Sequence, residues 1–486
     1  MKEKTKTKTK IKHTSIKTLK HTRGISPLKI IQRIVMIIFM FPAVQVYATE
    51  LTQLIDSALK KNYKIRNSEH EIISSEYDRK KGLSPFYPVV NIQANTTWSD
   101  STTKYPDPAS PNVDNEYNSN GYSLSISQTL IDYSKMYAYD ESKLEAEINL
   151  VKHNKIINDI IVNVVENYFS YLKFQAQQKA TKAELLSSSL RLTQIKRNND
   201  LGNVSKTDVY EAFAQKEGNK RKVENIKKDI AISLRKLNST TQSDTKPKFD
   251  IKLNLHYKEI TLARQKKLFD TLVNTNYDII VAKQGIAKAD KTLGKARSGF
   301  LPTLSASADY NYTDSNNAFP SHKNDSSYGL KLTIPIMNGG SDVYEYKKNK
   351  NKNKIVQSQV TYEQTIDETQ VSFDELVIKV NNNVESIGIL KSIVLSNYSV
   401  YEGTQKAYKI GTKTLTDLLA SESSLYNSIR DYYSNNYDYI INMTKLNALL
   451  GPIDLTSLEQ LSLSMIPLVY NFDIKILDKF KKDLNE

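Results

Sequence analysis

The chain contains no cysteine. Disulfide staples, thiol catalysis and a lipid-modified N-terminal cysteine are thereby excluded, while the compartment stays open. Histidine is almost as scarce. Beyond residue 48 only His70, His153, His256 and His322 occur, scattered, with no metal-ligand spacing and no nucleophile motif nearby. The expectation is a protein that is not an enzyme and holds no cofactor and no metal. Long apolar runs are missing too. After residue 50 every apolar stretch is short and interrupted, so a chain that crosses a membrane must do so with strands. Proline is absent from 112 to 246 and from 336 to 451, which leaves long helices unbroken. Excess charge is also absent from most of the chain. Of the formal +15, the larger part lies in residues 1–48, with eleven bases and one acid, Glu3; the other 57 bases and 52 acids nearly cancel. That balance offers no clustered basic face, so nucleic acid is not an expected partner.

What is present begins with a targeting segment. A Lys-rich lead ends at Arg33, 34–41 is wholly apolar, Pro42 breaks it, and Val46-Tyr47-Ala48 supplies small residues for cleavage. Residues 1–48 read as a secretory signal peptide, with an uncleaved anchor as the alternative.

Two stretches further on mirror each other. Residues 201–209 read L-G-N-V-S-K-T-D-V, and 410–419 contain I-G-T-K-T-L-T-D-L. Each has the form of a turn between two helices. Gly202 and Gly411 stand where a helix C-terminus needs positive φ. Ser205 and Thr414, or the Thr-Asp pairs after them, offer oxygens that cap the next helix. The two copies lie 209 residues apart, which points to a duplicated chain.

The rest of the sequence repeats at a similar offset. Short helices are expected at 50–63 and 65–81. From Val90 to Trp98 the apolar residues fall on every second position, and Tyr122, Leu124 and Ile126 alternate with serines. This period of two predicts a hairpin over 89–128, with a polar loop at 99–120. In the second half Phe300-Leu301-Pro302 echoes Phe86-Tyr87-Pro88. Leu304 to Tyr312 and Tyr328 to Ile334 alternate in the same way, predicting a hairpin over 303–335 with a loop at 313–327. The alternation with aromatic ends fits a membrane barrel better than a soluble half-buried sheet.

Between hairpins and turns lie roughly 68 and 70 proline-free residues, each worth about 100 Å of helix. Leu418, Leu425, Ile429, Tyr432, Tyr439, Met443, Leu446 and Leu450 follow alternating three- and four-residue steps. Glu422 and Asn436 are the polar members of that series. Val223, Ile226, Ile230, Leu234 and Leu237 behave alike. These stripes are packing surfaces of coiled-coil type. The expected organisation is signal 1–48, a first repeat 49–256, a second repeat 257–452, and a tail 453–486 that periodicity does not place.

Two copies of short helices, hairpin, very long helix, glycine turn and helix resemble the TolC family of outer-membrane export ducts. The resemblance covers about 50–451. Its most specific parts are the two turns, the run from Asp417 through Ser428 to Leu446-Asn447 and Gly451, and the echo of Lys445-Leu446-Asn447 in Lys236-Leu237-Asn238. The resemblance implies a mainly α fold with a membrane β part. In it a trimeric α-helical barrel of long coiled-coil helices joins a 12-stranded β-barrel, with four strands from each chain. It implies an outer-membrane location with a long periplasmic extension. It also implies a homotrimer working with a periplasmic adaptor (membrane fusion protein), an inner-membrane pump of ABC or RND type, and outer-membrane lipid. The turns would lie at the periplasmic entrance. There Asp417 matches a position whose carboxylates ring the constriction, while the acid expected three residues on is Ala420 here. Tyr408, Lys413, Thr207 and Asp208 match positions that hold the entrance shut. Lys413 stands where Arg is familiar, so a bidentate contact is lost. The alternative is that Asp208 and Asp417 only cap their helices. The geometry of barrels agrees with three copies: four strands cannot close, eight fill with side chains, and twelve leave a passage. The rival reading is a periplasmic coiled-coil adaptor or scaffold without a channel, which would not need two amphipathic hairpins.

Overall fold

The computed structural model of the chain describes residues 50–104, 106, 113–247, 257, 259–316, 321–336 and 341–453. The expected signal peptide and the tail from 454 onward lie outside the described residues. The first repeat opens with α1 (Glu50–Lys61) and α2 (Tyr63–Lys81), followed by strands β1 (Val89–Thr103) and β2 (Val113–Ile131). Then come α3 (Tyr133–Asp200) and α4 (Lys206–Thr241). The second repeat runs α5 (Leu262–Thr275), α6 (Tyr277–Ser298), β3 (Thr303–Ser315), β4 (His322–Thr333), α7 (Ser341–Lys409) and α8 (Leu415–Leu449). With 68 and 69 residues, α3 and α7 each reach about 100 Å.

The repeat extends to single side chains. Asn62 sits between α1 and α2, accepts from the Lys64 N–H, and donates through Nδ2 to the Thr240 carbonyl at 2.8 Å. Asn276 does the same between α5 and α6. It accepts from Asp278 and Ile279 and donates to the Leu449 carbonyl at 2.9 Å. Each asparagine caps a short helix and ties it to the end of a long one, satisfying donors that a helix start leaves open.

The strands form one antiparallel sheet in the order β1-β2-β3-β4. The described parts of both polar segments expected as loops are largely strand; 107–112 and 317–320 lie outside the described residues. Ser99 to Thr103 pair with Tyr117 to Val113, and Asp314 pairs with His322. The ladder is made by backbone groups and continues wherever they align. Alternation in the sequence marks only the band where one face meets an apolar medium, so strand ends polar on both faces read as loop. The edge strands β1 and β4 have no further partner among the described residues, and almost all their residues are exposed.

The helical part is two antiparallel pairs, α3 with α4 and α7 with α8, joined along α3 and α8. The seam of α3 carries Val164, Val165, Tyr168, Phe169 and Leu172, fully buried with Tyr426, Ile440 and Leu446 of α8 in one core. The predicted stripe of α8 faces inward: Leu418, Leu425, Ile429, Tyr439 and Leu446 are buried, and Tyr432, Met443 and Leu450 are packed against them. α2 packs on α3, whereas α6 packs on both α3 and α7.

Candidate functional site at the paired helix turns

Both long helices end in the same way. At the end of α3 the Gly202 N–H donates to Asn199 O (2.9 Å) and the Asn203 N–H to Asn198 O (2.8 Å). At the end of α7 the Gly411 N–H donates to Tyr408 O (3.1 Å) and the Thr412 N–H to Ala407 O (2.9 Å). This double bond pattern closes a helix only when the residue past its end is left-handed. Gly202 and Gly411 both have φ +78°.

The next helices start with matched capping boxes. Ser205 Oγ accepts from the Asp208 N–H at 3.1 Å, and Asp208 Oδ2 accepts from the Ser205 N–H at 2.9 Å. Thr414 Oγ1 accepts from the Asp417 N–H at 3.1 Å, and Asp417 Oδ2 accepts from the Thr414 N–H at 3.1 Å. Ser205 and Thr414 are therefore the caps, with the aspartates closing each box. Hydrogen bonds from Thr414, its backbone N–H first, hold the Asp417 carboxyl below the ordinary carboxylate range, and Lys413 adds to this.

The remaining predicted residues separate into two groups. Lys413 is exposed, with its Nζ 3.9 Å from Asp417 Oδ2 of its own turn. Thr207 is exposed on the first turn of α4. Neither reaches the other turn within this chain. Tyr408 is half-buried and packs on a small apolar cluster of Leu192, Ile195, Ala212, Leu415 and Leu419 that joins the two helix pairs. Burial pushes its hydroxyl up, Arg191 opposes that shift, and the nearby Asp208 carboxylate adds to it. The structure thus brings Tyr408 and Asp208 to the same side of the tip without a hydrogen bond between them.

Sequence reasoning missed a set of charged residues inside the helices above the turns. Glu184 and Arg191 of α3 and Glu422 of α8 are buried. Arg430 Nη1 donates to Glu184 Oε2 at 2.6 Å, and Lys222 Nζ donates to Glu184 Oε1 at 2.9 Å. A signal for them was available: Glu422 is, with Asn436, one of two polar members of the α8 stripe, and a polar residue at such a position specifies how helices pair.

Comparison with known proteins gives one consistent answer. Residues 54–241 and 268–452 match the family described as outer membrane efflux protein. The chain is 24% identical over 426 residues to outer membrane protein TolC of Escherichia coli (strain K12), covering 84% of this chain and 83% of that protein. It is 21% identical over 385 residues to the alkaline protease secretion protein AprF of Pseudomonas aeruginosa, covering 78% of this chain and 79% of the relative. Among solved structures, CusC superposes with a TM-score of 0.73 at 17% identity, covering 85% of this chain and 96% of that one.

Proposed function

The chain belongs to the outer membrane efflux protein family and is an outer-membrane exit duct for efflux or type I secretion; on that premise we propose that three copies build one duct. The observation that carries the proposal is an unfinished repeat. α6 fills the space between its own long helix, α7, and the preceding one, α3. Its counterpart α2 has α3 on one side and no comparable long-helix partner on the other. α2 leaves Ile73 half exposed, and the matching stretch of α7 leaves Val356 and Val360 more than half exposed. The α7 of a neighbouring copy, placed by rotation, completes the pattern. The sheet has the same defect, with unpaired edges at β1 and β4, and the same rotation pairs them. Twelve strands then enclose a water-filled lumen, which eight would not.

In this reading the barrel sits in the outer membrane and the long helices continue it as a tube into the periplasm. No helix among the described residues is long and apolar enough to span a membrane, which leaves that task to the strands. The turns form the periplasmic entrance. Three Asp417 carboxylates there favour cations, and Tyr408, Lys413, Thr207 and Asp208 act between neighbouring helix pairs to hold it shut. A periplasmic adaptor and an inner-membrane pump of ABC or RND type deliver the substrate and the energy. Native mass spectrometry of protein extracted from the outer-membrane fraction should give three copies. A monomer from that fraction would overturn closure by three, and absence from it would favour the adaptor reading.

A further inference from the structure

A buried polar layer crosses the bundle just above the turns. By helix rise, Arg191 of α3, Tyr401 of α7 and Glu422 of α8 all lie about 10–15 Å from the helix ends. All three are within 6% of full burial. Arg191 Nη2 donates to Tyr401 Oη at 3.5 Å. Glu422 is different from its neighbours. Neither of its carboxylate oxygens has a hydrogen-bond partner, and Ser187 Oγ and Arg191 Nε also lack one. The other buried acid of this region, Glu184, is held by two cations, Lys222 of α4 and Arg430 of α8. The charges of the layer are therefore unevenly met: one acid is doubly paired, and the other has only the charge of Arg191 near it.

An ionised carboxylate without hydrogen bonds is unfavourable in a protein interior, and such a group takes up a proton instead. Burial is the main cause of an upward shift at Glu422; the charge of Arg191 opposes it, and Glu184 reinforces it. The groups facing it are Glu184 and Arg191 from α3, Lys222 from α4 by way of Glu184, Tyr401 from α7, and Tyr426 and Arg430 on α8 itself. Burial pushes both tyrosine hydroxyls up, so they stay neutral.

We propose that Glu422 is a proton-operated positioning residue of the duct entrance. When protonated, it lets α8 pack beside Arg191 and Tyr401. When ionised, it favours a separation of the α7/α8 pair from α3 that admits water to the layer. The proton lost on separation passes to solvent, and nothing else changes covalently. The inference rests on the duct reading, because the packed layer ties together the two helix pairs whose tips form the entrance. The sign follows from linkage. The packed arrangement binds a proton that a water-exposed carboxylate releases. Acid therefore favours the packed entrance, and that advantage declines as pH climbs from the ordinary carboxylate value to the raised one.

The test uses the full-length mature protein in planar lipid bilayers between roughly pH 5 and pH 9. The parent should conduct more as pH rises, by about threefold or more. Glu422→Gln, which mimics the neutral acid, should hold the parent's low-pH conductance throughout. Glu422→Asp should restore a pH profile. In parallel, the heat-dissociation temperature of the oligomer should fall with pH in the parent and stay flat in Glu422→Gln. If Glu422→Gln follows the parent's pH profile in both measurements, the proposal is overturned. A parent that conducts at no pH refutes the duct reading instead, and the dissociation profile then still decides the role of Glu422.

Discussion

Gly388 and Gly411 make opposite use of the same residue. A Cβ added at either would meet nothing within 4 Å, so space constrains neither. Gly388 lies inside α7 and Gly411 has φ +78°. Gly411→Ala should therefore cost about 1 kcal/mol, while Gly388→Ala should stabilise by about 0.5–1 kcal/mol. Opposite shifts in heat-dissociation temperature would show this, and shifts of one sign would contradict it. Asp417 allows a second prediction at this scale. Its carboxyl is held below the ordinary value by the Thr414 hydrogen bonds. A lowered acid contributes stability above its unfolded pKa and loses it as pH falls through the folded one. Asp417→Asn should accordingly be less stable than the parent near neutrality, and the two should converge below about pH 4. A constant gap across a thermal series in pH would show that the capping hydrogen bonds do not depend on the charge.

At the scale of elements, each strand and helix was legible to the degree that one local pattern governs it. Absence of proline and the paired glycines located α3 and α7, because helix continuity depends on neighbours along the chain. The alternation of Leu330, Lys331 and Leu332 located β4 but not its polar end at His322, because pairing there rests on backbone bonds to β3 alone. Alternation also assigns faces. Leu332 should meet lipid and Lys331 the lumen, so Leu332→Arg should impair assembly by roughly 2–4 kcal/mol near the midplane, and Lys331→Gln should not. Equal yields of folded oligomer from both variants would show that the assigned faces or the assigned depth are wrong. What could not be read was which charges meet across helices. Arg430 and Glu184 lie 246 residues apart in the chain, and only the packing of α3 against α8 joins them. Glu184 is 1% exposed and Arg430 13%. Arg430→Ala leaves the buried acid with Lys222 alone and should cost up to about 3–5 kcal/mol, whereas replacing both Arg430 and Glu184 by leucine should cost far less. Chemical denaturation of both variants distinguishes the two cases, and similar losses would mean that Lys222 alone suffices for Glu184.

At the scale of the whole molecule, the proposed closure and gating would depend on contacts that a single chain does not contain. The capping boxes occupy one oxygen each of Asp208 and Asp417, which leaves the other carboxylate oxygen of each free to meet a neighbouring copy. Tyr408 already spans the two helix pairs of its own chain through the cluster at Leu192 and Leu415. Lys413 extends from the turn, loosely paired at 3.9 Å and 53% exposed. A contact so exposed is worth only about 0–1 kcal/mol. In the proposed trimer, however, rotation repeats it three times, and a few kcal/mol in sum moves a two-state balance by orders of magnitude. Asp208→Ala combined with Tyr408→Phe should therefore raise single-channel conductance in planar bilayers. Asp417→Ala should instead weaken cation preference, read as a smaller reversal potential in a salt gradient, while leaving the closed state largely intact. The two effects separate because a ring of like charges attracts cations without tying helices together, whereas in the proposed duct Tyr408 and Asp208 act through contacts between neighbouring helices. A double variant that conducts like its parent would place the restraint deeper in the bundle, where the layer of Arg191, Tyr401 and Glu422 is the next contact between the same two helix pairs.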